Sequence, residues 1–105
     1  MMIKYNAEID NQAIYENLHR LINQIYKLLP SREEQVDWQK PLETIIEEVS
    51  GMSRLLPNCH NILFLLLCKL EGLTQLTQDN QFLLYRRTIF ECLGLIGELQ
   101  QQCQD

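Results

Sequence analysis

A chain of 105 residues with 46% hydrophobic and 22% charged side chains has the length of one domain. It can bury roughly 60–70% of its unfolded surface without staples. Only three prolines and four glycines argue against disorder and against a strand-and-turn architecture. The net charge of −5, with nine scattered basic residues and Arg86-Arg87 as their only adjacent pair, works against nucleic-acid backbone contact, which needs clustered Lys and Arg.

The opening MMIKYNAEID has one lysine and no apolar run of the signal-peptide kind, so a cytoplasmic location is expected. Asp10 is the expected N-cap of the first helix, with Ile9 and Ile14 placed as a hydrophobic staple. Ile14, Leu18, Leu21, Ile22, Ile25 and Leu29 then recur at spacings of three and four, against Glu16, Arg20, Asn23 and Lys27 on the other side. That period predicts an amphipathic helix ending at Pro30.

In the connection SREEQVDWQK, Ser31 and Glu34 have capping-box spacing and predict a short helical turn. Trp38, the only tryptophan, is expected to anchor this connection on the bundle. Pro41 suits the first position of a second helix, and Glu43 its first turn. Leu42, Ile45, Ile46, Val49, Met52 and Leu56 give that helix a narrow apolar stripe, with Glu43, Glu47, Glu48 and Arg54 facing water. Pro57-Asn58 is expected to stop it and cap the third helix.

The third helix, over Asn58–Leu76, is the most apolar part of the chain, and Ile62–Cys68 contains no polar residue. Its apolar side chains fill an arc of roughly 200°, about twice the minimum for a surface helix. It is therefore expected to be a buried central helix covered on more than one side. Lys69 and Glu71 interrupt the run, which is also shorter than the ~20 residues a bilayer requires, so no membrane contact is expected. Thr77 or Asp79 is the expected cap of the last helix, QFLLYRRTIFECLGLIGELQ, whose apolar arc is also broad. Together these elements predict an all-α fold: one domain, 1–105, built as a four-helix up-down-up-down bundle with a short helical turn in the first connection.

Two helices with narrow stripes followed by two with broad ones leave apolar surface to be covered by the N-terminal segment, the Trp38 connection or another chain. Phe64 falls on the polar side of the third helix, with Cys68 as its apolar neighbour, while Leu84 and Leu95 flank the polar stripe of the fourth. These four, with Arg86 as a charged element, are the candidate partner-binding residues. Phe64→Glu is accordingly expected to convert a dimer to a folded monomer. Lys69, inside the apolar arc of the third helix, is expected to snorkel or to pair with a glutamate of another helix.

Recognisable catalytic or metal-binding patterns are lacking. His19 and His60 are the two histidines, and the adjacent Cys59 and His60 point about 100° apart on a helix, with no second pair at zinc-like spacing. The four cysteines, Cys59, Cys68, Cys92 and Cys103, form no C-x-x-C pair and are expected to be free thiols acting as small hydrophobes. Carboxylates from Glu33 to Glu48 read as solvated helix faces without the Glu-x-x-His pattern of di-iron bundles. No phosphate loop, nucleophile elbow or dinucleotide fingerprint occurs. Neither catalysis nor a cofactor or metal is expected. The function expected is association, as a homodimer or as an accessory subunit, through helices three and four. The alternative is an acidic inhibitor that mimics nucleic-acid charge and occupies a basic groove, on the strength of six acids between Glu33 and Glu48.

Overall fold

The computed structural model describes residues 11–104, without the side chains of Asn11, Cys103 and Gln104. It contains four α-helices: α1 (Asn11–Glu33), α2 (Gln39–Leu55), α3 (His60–Leu73) and α4 (Phe82–Gln104). Short 3-10 turns at Pro57–Cys59 and Asp79–Gln81 precede α3 and α4. There is no strand among the described residues. Asp10 and Ile9, the expected cap and staple of α1, lie outside them.

Local chemistry at the helix ends departs from expectation in four places. The helix α1 does not stop at Pro30 but runs through it to Glu33, so the expected helical turn is the end of α1 itself. Proline removes one N–H, yet its own carbonyl still accepts from Glu34 N–H at 2.9 Å, and the helix closes with Val36 N–H to the Ser31 carbonyl (2.8 Å) and Gln35 N–H to that of Arg32 (3.1 Å). This six-to-one and five-to-two pairing is a Schellman motif. Its left-handed position is filled by Gln35, at φ 60°, instead of glycine.

The second helix begins two residues before Pro41. Asp37 Oδ1 accepts from the backbone N–H groups of Gln39 (3.0 Å) and Lys40 (3.3 Å), and Leu42 N–H donates to the Trp38 carbonyl (3.2 Å). Proline at the third position has no N–H to satisfy, so the first three helical positions, Gln39, Lys40 and Pro41, leave no donor without an acceptor. Asn58 does not cap α3: it lies inside the 3-10 turn, and the N-cap position, Cys59, makes no side-chain cap bond. At the start of α4 the capping box is formed by Gln78 and Gln81 instead of by Thr77 or Asp79, with Gln78 N–H donating to Gln81 Oε1 at 3.0 Å.

Each helix buries one row of side chains. Leu18, Leu21, Ile25 and Leu28 of α1 meet Leu42, Ile45 and Val49 of α2, Leu63, Leu66, Leu70 and Leu73 of α3, and Tyr85, Ile89, Cys92, Ile96 and Leu99 of α4. No polar or charged residue is buried among them. Both α1 and α3 pack on α2 and on α4. The radius of gyration, 14.3 Å with extents of 45 × 20 × 19 Å, exceeds the ~13 Å of a compact globule of this length. The molecule is a rod with long helical faces.

The expectation for α3 is met in part: α2 and α4 cover it on two sides, but it is not central, since it buries a row no wider than that of α1 and leaves Phe64, Leu65 and Cys68 exposed.

Candidate interaction surface

Two contacts set the register between α3 and α4. Cys59 Sγ–H donates to Gln102 Oε1 at 3.0 Å, and Lys69 Nζ donates to Glu91 Oε1 at 3.1 Å. Successive α3 positions therefore lie beside progressively earlier α4 positions. Lys69 pairs across helices at the edge of the groove, with both partners partly solvated. Surface pairs of this kind contribute about 0–1 kcal/mol.

Large apolar side chains stay exposed on both helices: Phe64 (61%) and Leu65 (46%) on α3, and Leu83 (78%), Leu84 (45%) and Phe90 (41%) on α4. Phe64 stacks on His60 of the preceding turn at a ring separation of 6.4 Å, and Cys68, one turn on, is also exposed. Leu95 is half-buried against the core. By the register, Phe64 lies level with the region of Leu95, whereas Leu84 sits about 16 Å further along the bundle at the helical rise of roughly 1.5 Å per residue. Arg86 is exposed with its guanidinium 5.1 Å from the Phe90 ring centre, and Phe90 meets the exposed Tyr26 of α1 edge-on at 6.1 Å. The five candidate residues are thus distributed over two neighbouring faces: Phe64 with Cys68, and Arg86 beside Phe90, with Leu84 and Leu95 at different heights.

Arg32, which no sequence pattern singled out, organises the end of the bundle where the α1–α2 and α3–α4 connections meet. Its Nη2 donates to the carbonyls of Leu76 (2.7 Å) and Gln78 (2.8 Å). Its guanidinium carbon lies 4.5 Å from the ring centre of Tyr85 and 5.4 Å from those of Trp38 and Phe82. Trp38 packs against Tyr85, the ring centres 5.1 Å apart, so the expected anchoring of the connection is realised with Arg32 as the pin. The wide, solvent-open depressions beside it are lined by Arg32, Gln35, Trp38, Asp79 and Phe82 among others. Burial pushes the Tyr85 phenol well up, partly offset by the Arg32 charge, and neither Tyr85 Oη nor Arg32 Nη1 has a hydrogen-bond partner among the described residues.

Further along the bundle, Arg20 forks onto Glu48 with Nη2–Oε2 at 2.7 Å and Nη1–Oε1 at 3.3 Å, tying α1 to α2. The three described cysteines are free thiols. Burial pushes Cys92 up to about 12, with Lys69 opposing and Glu91 reinforcing the shift, and raises Cys59 as well. Neither is a thiolate near neutrality, so neither is poised as a nucleophile. Among the described residues no three His, Cys, Asp or Glu side chains come together as metal ligands, and no described helix is long and apolar enough to cross a membrane. No family model, no curated protein and no solved structure matches this chain.

Proposed function

We propose that this chain is a small non-catalytic interaction protein of the cytoplasm that works by associating through α3 and α4, as a homodimer or as an accessory subunit. The observation that supports this reading is the uneven exposure of large apolar groups, five of which project from those two helices. Continuous apolar patches rimmed by polar groups are the common mark of a contact surface. We also read the four helices as alternating in direction, up-down-up-down, supported by the short connections and by the order of the α3–α4 contacts. The test is a mass measurement by light scattering across protein concentration, on the wild type and on Phe64→Glu and Leu83→Glu. A wild-type mass above that of one chain, lowered by at least one substitution in a protein of unchanged helix content, is the expected result. A single-chain mass throughout would remove the homodimer.

The second reading, an acidic charge mimic, draws on the exposure of Glu33, Glu34, Asp37, Glu43 and Glu47. Glu48 is engaged by Arg20, and Asp37 by the start of α2, which leaves Glu33, Glu34, Glu43 and Glu47 without a hydrogen-bonded or ionic partner among the described residues, spread from the α1–α2 connection along the first half of α2. Binding to a basic nucleic-acid-binding protein that weakens steeply with salt would favour it.

A further inference from the structure

The outer side of α4 is a second helical row, opposite the core row. Leu83, Arg87, Phe90, Gly94 and Gln101 follow one another at three-, four- and seven-residue steps and are all exposed, with Arg86 and Glu98 beside them. Three features of it are unexplained within one chain. Leu83 is the most exposed large apolar residue of those described. A Cβ added at Gly94 or Gly97 meets nothing within 4 Å, although glycine inside a helix costs about 1 kcal/mol relative to alanine. The close approach that these glycines permit is therefore not made by any described part of the same chain. Finally, Arg86, Arg87 and Glu98 form no ion pair among the described residues.

All three features are answered by one arrangement. We infer that the outer row of α4 is a self-complementary interface on which a second copy of this chain docks its own α4 in antiparallel orientation, about a two-fold axis level with Cys92. Residues equidistant from that level then face each other. Phe90 falls opposite Gly94 of the partner subunit, an aromatic side chain over bare backbone, and the same contact is made twice. Arg86 falls opposite Glu98 of the partner subunit, also twice, with Arg87 one residue nearer the axis, so each Glu98 meets an arginine of the other copy. Leu83 lies over the aliphatic part of Gln101 of the partner subunit. A two-fold interface requires one patch complementary to itself, and this row meets that requirement in both charge and size. The contact spans Leu83 to Gln101, about 27 Å of helix, with Tyr26 at its flank. That is at the low end of interface sizes, so the dimer is reversible and forms with rising concentration. This inference rests on the association reading and narrows it to one partner and one face, leaving Phe64 and Cys68 outside the contact.

Sedimentation equilibrium of the full chain tests it with three variants. Gly94→Gln fills the notch while improving the helix. It is expected to weaken self-association by about tenfold or more, as loss of a central contact does, and to raise the melting temperature of the monomer. The double change Arg86→Glu, Arg87→Glu is expected to weaken the dimer about tenfold or more, and adding Glu98→Arg to restore it to within about threefold, since the reversed charges again match. Gly94→Gln melting higher with unchanged association would identify the glycine as a local flaw and overturn the inference. A dimer insensitive to all three variants but lost in Phe64→Glu overturns this face while sustaining association. A wild type that stays single up to about 1 mM, the weak limit of specific affinity, overturns the inference and leaves only the accessory-subunit form of the function.

Discussion

Arg32 holds together the two connections at one end of the rod, through hydrogen bonds to the carbonyls of Leu76 and Gln78 and by its place among Trp38, Phe82 and Tyr85. Charged donors on carbonyls contribute about 1.5–3 kcal/mol, and a guanidinium over aromatic rings about 0.5–2. Truncation also leaves apolar surface uncovered. Arg32→Ala is expected to lower unfolding free energy by about 2–4 kcal/mol in urea titration, and Arg32→Lys by less, since a compact ammonium reproduces neither the fork nor the stacking. Cys92 makes a different prediction. Its folded-state pKa, raised to about 12 from an ordinary 9.0, lies above the unfolded value, so the thiol's contribution is complete below pH 9. It is lost as pH climbs from 9 towards 12, where the unfolded chain ionises and the folded one resists. The slope attributable to this group is at most ~1.4 kcal/mol per pH unit. Cys92→Val keeps the packing and should reduce the alkaline decline that begins near pH 9, as read from denaturation midpoints; Cys59, also raised by burial, leaves a remainder there, and Tyr85, shifted in the same direction, sustains the decline that starts higher.

At the scale of the element, the helices were legible and their ends were not. Apolar spacing located all four, because the core selects one row per helix and that row recurs every three or four residues. The ends depended on competition among nearby polar groups. Asp37 outcompeted Pro41 as the signal for α2, because its carboxylate reaches two free N–H groups, while Pro41 merely lacks the donor that would need one. The pair Gln78 and Gln81 displaced Thr77 and Asp79 for the same reason. Pro30 was read as a stop, but one missing hydrogen bond is outweighed when the following turn is secured by a Schellman closure and by Arg32. That closure carries a cost that can be measured. Gln35 stands at φ 60°, where a side chain costs roughly 1–2 kcal/mol. After the extra chain entropy that glycine loses on folding is offset, Gln35→Gly is expected to stabilise the protein by about 0.5–1 kcal/mol, seen as a higher denaturation midpoint at unchanged slope.

On the scale of the whole molecule, the bundle leaves different remainders on its four helices. Each contributes one buried row, but α3 and α4 bring more apolar side chains than one row holds. A ring of four helices offers each member two neighbours, so circumference beyond about half a turn remains outside. The sequence placed that excess correctly on the last two helices but read α3 as central and buried, whereas its two neighbours leave Phe64, Leu65 and Cys68 outside. Of the residues singled out for contact, Phe64 and Cys68 do lie on the exposed face of α3; Leu95 is half claimed by the core. The row of Leu83, Phe90 and Gly94 was hidden because its glycines and arginines interrupt the apolar pattern, and only an exposed surface shows that they share a side.

What the sequence determined by itself was the class of the fold and the apolar face of each helix that supplies the core, though not each member, as Leu28 is buried while the predicted Leu29 is only partly so; burial follows a periodic hydrophobicity that each segment carries locally. What only the tertiary structure decided was which side chains meet across segments: Arg32 among three rings, Lys69 beside Glu91, and the empty space over Gly94 and Gly97. Those relations depend on the rotation and height of one helix against another. These are set jointly by all four, and no single stretch of chain encodes them.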